Sequence, residues 1–163
     1  MVLSSLRRRL YRGRRAGAVA RMLNRGQARL AAAGIGPAWL VVVETVGRRT
    51  GRTITFPAVV ADYEGDRYLV SMLGADTNWV RNVRASGGRA ALRHGRREPV
   101  RLVEVEVSER APILRSYVRR ATGARAHIPV DPDAPIATFE GIAADYPVFR
   151  VTTEEATGPQ RSG

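Results

Sequence analysis

Two β-prone runs joined by a short glycine-bounded turn constrain this chain more than any other feature. Trp39 to Val46 reads WLVVVETV and Thr53 to Val60 reads TITFPAVV. Between them lies Gly47-Arg48-Arg49-Thr50-Gly51-Arg52. Two such runs around a short connection containing glycine predict a β-hairpin. The turn also concentrates three guanidinium groups and a hydroxyl from Arg48 to Arg52. Gly47 and Gly51 let the backbone turn sharply and let an anion approach the amide N–H groups. Arginine forks match phosphate or carboxylate oxygens two at a time. The turn therefore reads either as an anion cradle on a rigid hairpin or as a solvated basic turn.

The 163 residues suit one domain with one core, and a hydrophobic fraction of 44% fits a globular chain. No apolar run approaches the length of a membrane span, and the basic N-terminus lacks the apolar stretch of a secretory signal. With no cysteine, disulfides, thiolate metal sites and a cysteine nucleophile are excluded. His94 and His127 lack ligand spacing, so no metal site is expected. The net charge is +12, and nine arginines fall within residues 1–30, ahead of the first acidic residue, Glu44. The basicity thus belongs to an N-terminal arm, read as helix over residues 3–33 and ended by Gly34-Ile35-Gly36-Pro37. Residues 1–30 are candidates for peripheral contact with an anionic membrane surface. A nucleic-acid partner is not expected, because the arginines are not interleaved with aromatic residues. The expected location is cytoplasmic, with the inner face of the membrane as the alternative.

Beyond the hairpin, Tyr63 to Asp66 reads as a tight turn leading to a third strand from Arg67 to Ser71. Asn78 is an expected N-cap for a short helix holding Trp79 and Asn82, ended by Ser86-Gly87-Gly88. Arg89 to His94 and Glu98 to Val107 form a second hairpin, with Val103, Val105 and Val107 expected on the buried face. Ser108 opens a helix to about Thr122, Ile136 to Ala144 forms another, and Tyr146 to Thr152 is the last strand. About six strands, mostly joined by hairpins and flanked by helices, favour a mainly β (α+β) antiparallel sheet closed or half-closed into a barrel. The expected organisation is a basic helical arm over 1–36, a barrel domain over 37–152 and a disordered tail over 153–163. Neither a dinucleotide fingerprint, nor a phosphate loop, nor a nucleophile elbow is present.

The pieces Thr45-Val46-Gly47-Arg48-Arg49-Thr50-Gly51, Pro57, Ser71 to Gly74 and Trp79-Val80-Arg81-Asn82, in that order, carry a family pattern. Over residues 38–107 the chain resembles the deazaflavin-dependent nitroreductase family. That resemblance implies an antiparallel split β-barrel and a reduced 8-hydroxy-5-deazaflavin coenzyme, coenzyme F420. It implies that Arg48, Arg49, Thr50 and Gly51 hold the coenzyme's phosphate and the start of its acidic tail. Ser71 and Gly74 would line the loop beside the cofactor, and Trp79 and Asn82 would complete the pocket. Two positions that are basic in family members are Ile54 and Met72 here. Phosphate binding would then rest mainly on Arg48 and Arg49, with Arg52 as a substitute. Asn82 has a second reading, as a brace for a loop.

The function implied is hydride transfer from the reduced coenzyme to a small quinone, enone or nitro-type acceptor. Tyr117 is the candidate proton donor, with packing of a helix face as its other reading. Two alternatives use the same fold: a non-catalytic carrier of deazaflavin, haem or lipid, and an oxidoreductase dependent on flavin mononucleotide.

Overall fold

The computed structural model describes residues 25–154. The arm over 1–24 and most of the expected tail, 155–163, lie outside the described residues. The chain is helical over 25–32 (α1), turns at 33–34 and enters the sheet at Leu40. The strands are β1 (Leu40–Val46), β2 (Thr53–Val59), β3 (Ala61–Tyr63), β4 (Asp66–Val70), β5 (Arg89–His94), β6 (Arg96–Glu104) and β7 (Val148–Thr153). Three α-helices follow α1: α2 (Asn78–Ala85), α3 (Arg110–Arg120) and α4 (Ile136–Glu140).

The expected hairpin forms with uninterrupted register, from Leu40 opposite Val59 to Val46 opposite Thr53. Pro57 sits in this register opposite Val42. It is tolerated because β2 is an edge strand, where a missing N–H breaks no second ladder.

The seven strands form one antiparallel sheet in the order β2-β1-β5-β6-β7-β4-β3. β2 and β3 are its two edges, yet only Val60 separates them in sequence. The sheet must therefore curl until its edges meet, giving a split β-barrel. Val60 is buried and its N–H donates to the Trp39 carbonyl at 2.7 Å. The bend there explains why seven strands form where about six are expected: the chain after β2 changes partner from β1 to β4.

Alternate residues of the central strands serve two cores, as a pleated strand requires. Leu69, Phe149 and Val151 join Val41, Val43, Val80, Val83, Leu92, Val100 and Leu102 in one. Tyr68, Val70 and Val148 join Ile113, Leu114, Tyr117, Val118 and Phe139 in the other. Strand β6 corrects the expected phase. Val100 and Leu102 are the buried residues, whereas Val103 and Val107 are exposed. The strand ends at Glu104, so Val105 and Val107 belong to the bend before α3. Glu104 faces outward enough to pair with Arg84 at 2.8 Å and Arg110 at 3.2 Å. The cap of α2 also shifts by one residue. Thr77 is the N-cap and Asn78 the first helical residue. Thr153, expected in the tail, closes β7 opposite Val100.

Candidate functional site

The β1–β2 turn is rigid because its backbone closes on itself. Gly47 N–H donates to the Arg52 carbonyl and Gly51 N–H to the Gly47 carbonyl, each at 2.8 Å. Gly51 has φ +68, a left-handed conformation that a side chain would strain. The buried Asn82 carboxamide secures the turn from below. Its Oδ1 accepts from the Arg48 N–H at 3.2 Å and from the Arg48 guanidinium at 2.9 Å. Asn82 therefore sits behind the turn as a brace. The Thr50 hydroxyl accepts from the Arg52 N–H at 3.3 Å.

Arg48, Arg49, Thr50, Gly51 and Arg52 are all exposed. None of Arg48, Arg49 and Arg52 pairs with a carboxylate among the described residues. The N–H groups of Arg49 and Thr50 likewise find no acceptor among them. The turn presents cationic forks and unused amide donors together, the chemistry of an anion site.

From this turn β2 leads into a cavity of about 720 Å³. Ile54 and the run from Phe56 to Val59 line it. Trp79 lines the cavity from α2, with its ring against Phe56 at 5.3 Å and Phe149 at 5.4 Å between centroids. Met72 and Leu73 add further apolar surface, and Ser71 lies at the root of their loop. The Ser71 hydroxyl donates to the Gly74 carbonyl at 2.6 Å and lies 3.3 Å from the Thr77 hydroxyl. It holds the loop's shape, and Gly74 makes the reversal at φ +93.

Tyr117 comes to the same cavity from α3. Its side chain is buried, and desolvation pushes its hydroxyl from the ordinary 10.0 up to about 12. No buried side-chain oxygen or nitrogen is unpaired among the described residues, and the Tyr117 hydroxyl bonds to none of them. It is therefore not sealed within the core, and Tyr117 is one of the residues that line the cavity. Arg120 lies one turn further on, held by the Val60 carbonyl at 2.8 Å and Asp62 at 2.5 Å.

Ser71, Trp79 and Tyr117 thus share one cavity, the arginine turn adjoins it through Ile54, and Gly74 and Asn82 support the two loops. Sequence reasoning missed Phe56, Trp39 and Arg120 as lining residues. Phe56 was recoverable, since it shares the face of Ile54. Trp39 and Arg120 reach the cavity only through the barrel's curl, which no local pattern carries. Among the described residues, no cluster of His, Asp and Glu could hold a metal ion. No described helix is long and apolar enough to cross a membrane.

The two parts fit a long ligand with a planar apolar head and an anionic tail: donors without carboxylate partners at the turn, then apolar walls. We expect Asn82→Ala to raise the dissociation constant of such a ligand about fivefold, because Arg48 loses its anchor at a cost of about 1 kcal/mol. A fluorescence titration checks this, and an unchanged constant would show that the brace does not matter for binding.

Solved structures share the fold. Protein Atu2129 from Agrobacterium tumefaciens, of unknown function, matches 77% of this chain at 15% identity and a TM-score of 0.53. This chain spans 53% of that protein, about half its length. A heme binding protein from Mycobacterium smegmatis matches 78% of this chain at 13% identity and a TM-score of 0.50, with 52% of its own length covered. An F420-H2 dependent reductase, FDR-A, matches 69% of this chain at 21% identity and a TM-score of 0.49, with 93% of its own length covered. No curated protein matches closely enough to count as a relative. The profile of one family covers the arginine turn, the cavity strands and α3 together, over residues 14–136, and the chain belongs to that family, the F420H(2)-dependent quinone reductases, oxidoreductases whose cofactor is reduced coenzyme F420.

Proposed function

We propose that this chain oxidises reduced coenzyme F420 at the expense of a quinone-type acceptor bound in the same cavity. One observation carries the reading: a turn with three guanidinium groups unpaired to carboxylates among the described residues stands next to a cavity with apolar walls, which β2 enters at Ile54. When bound, the coenzyme would supply two electrons and a proton as a hydride equivalent, and the quinone would take its one further proton from solvent water to become a hydroquinone. The chain's contribution is placement. Arg48, Arg49 and Arg52 hold the anionic chain of the coenzyme, with the amides of Arg49 and Thr50. Trp79, Phe56 and Met72 form the wall against which a planar ring lies and from which water is excluded. The Tyr117 hydroxyl keeps its proton and donates a hydrogen bond to the acceptor oxygen as negative charge grows there. The remaining gain comes from proximity and orientation. The nine arginines within residues 1–30 support a peripheral contact with an anionic surface. Deleting residues 1–15 should abolish vesicle binding and leave cofactor affinity unchanged.

The test follows appearance of the oxidised coenzyme's fluorescence on adding a naphthoquinone to protein and reduced coenzyme. Turnover above the uncatalysed rate is expected. Tyr117→Phe should lower kcat about tenfold, the worth of one hydrogen bond of about 1.4 kcal/mol, with the coenzyme's dissociation constant within about twofold of wild type. An unchanged kcat would return Tyr117 to a packing role. The pH dependence has a definite sign. The unfolded chain loses the Tyr117 proton near 10 and the folded chain near 12. Stability from this group is intact below pH 10 and is lost as pH rises from 10 to 12. Alkaline unfolding of Tyr117→Phe should be correspondingly less steep.

A further inference from the structure

We infer that the acceptor of this enzyme carries an anionic group, recognised by a second cleft on α3 beside the cavity. The inference rests on the function proposed above. The cleft has a volume of about 540 Å³ and is lined by Trp39, Tyr63, Arg115, Ser116, Arg119 and Arg120. Arg115, Ser116 and Arg119 project from one face of α3, three and four residues apart. The opposite face, with Leu114 and Val118, is buried in the core.

The cleft's arginines are unequally paired. Arg115 makes no ion pair or hydrogen bond among the described residues, and its charge reaches the Tyr63 hydroxyl. Among the described residues Arg119 has Asp133 as its one ion-pair partner, at 3.5 Å, and that carboxylate is 88% exposed. A pair so solvated holds its arginine weakly. Arg120 is committed to Asp62 and the Val60 carbonyl. Glu64 lies beside Tyr63, so the carboxylates near the cleft are Asp62, Glu64 and Asp133. Arg115 and Arg119 are thus the guanidinium groups available to a ligand, in a cleft that Trp39 also lines.

Position gives the cleft its role. Trp39 and Arg120 line both the cleft and the cavity, so the two spaces adjoin. The arginine turn is at the other end of β1, about 20 Å away along the strand. A coenzyme anchored by its anionic chain at the turn extends toward Tyr117 from one end. An acceptor approaching from the other end passes Trp39 and meets Arg115 and Arg119. A planar quinone with a sulfonate, carboxylate or phosphate substituent would set its ring beside Tyr117 and its charge on these two forks.

The test compares a naphthoquinone sulfonate with its uncharged methyl-naphthoquinone counterpart, in wild type and in the double variant R115Q/R119Q. The ratio of kcat/KM for the sulfonate to kcat/KM for the neutral acceptor is read within each protein. Comparing the two ratios cancels the intrinsic reactivity of each quinone. The ratio should fall about tenfold in the variant, through KM for the sulfonate. An unchanged ratio overturns the inference, as does an equal loss for both acceptors. Calorimetric titration of the cofactor-free proteins with the sulfonate separates the two proposals. If wild type turns over neither quinone, the proposed function fails. The cleft then stands only if wild type binds the sulfonate about tenfold more tightly than the variant.

Discussion

Replacing both Arg48 and Arg49 by alanine is expected to weaken binding of coenzyme F420 about a hundredfold. Each guanidinium offers a charge-assisted hydrogen bond to an anion, worth about 1.5 kcal/mol at the lower end of the usual range. Two such bonds give about 3 kcal/mol, or two orders of magnitude in the dissociation constant. Neither side chain pairs with a carboxylate among the described residues, and the one side-chain bond lost is that of the Arg48 guanidinium to the Asn82 carboxamide at 2.9 Å. Asn82 keeps its bond from the residue 48 N–H. The fold should therefore survive, with an unchanged urea midpoint. A tenfold rise in salt should weaken wild-type binding far more than binding to the variant, because the screened charges are those removed. A loss under threefold would mean that the turn is a solvated surface loop and that the cofactor is held elsewhere.

The second large effect is on stability. Arg110 is 5% exposed, and its guanidinium is consumed by four acceptors. Nε donates to the Val105 carbonyl at 2.9 Å, and one terminal nitrogen to the Ala143 and Tyr146 carbonyls at 3.2 and 3.4 Å. The other terminal nitrogen reaches Glu104 at 3.2 Å. One side chain thus ties the end of β6, the start of α3 and the turn before β7. Arg110→Met would preserve the packing of the stem and leave these backbone acceptors without a cation. The expected cost is about 3–5 kcal/mol, the range for breaking a buried ionic network from one side. Glu104 would keep Arg84, whose hydrogen bonds hold its carboxyl below the usual range against the opposing effect of burial. Urea unfolding measures the loss, and a shift below about 1 kcal/mol would contradict this role. Because α3 carries Tyr117, Arg115 and Arg119, loss of this tie should also disturb the cavity and the cleft.

How much of this was legible in the chain depends on whether a feature is local. The hairpin of β1 and β2 was readable residue by residue, since eight-residue apolar runs and a glycine-bounded turn settle their own pairing. The arginine turn followed from that pairing. The phase of β6 was not readable, because valines stand at both parities around Glu104. Only contact with the core selects Val100 and Leu102. The bend at Val60 was hidden for a similar reason: nothing in TITFPAVVADY marks where the chain leaves one edge of the sheet for the other. That single bend closes the barrel and brings Trp39 and Arg120 to the cavity. Asn82 shows the intermediate case. Its residue type and its place after Trp79 pointed to the site, but its role as a brace beneath Arg48 needed the fold.

On the function proposed, the cavity beside the arginine turn accepts the deazaflavin ring of coenzyme F420. The most direct measurement is a fluorescence titration of the wild-type chain with oxidised coenzyme F420, run beside flavin mononucleotide. Saturable binding of coenzyme F420 is expected, at least about tenfold tighter than flavin mononucleotide because the longer anionic chain engages the whole turn. Flavin mononucleotide binding as tightly or more tightly, or no binding of coenzyme F420, would contradict it.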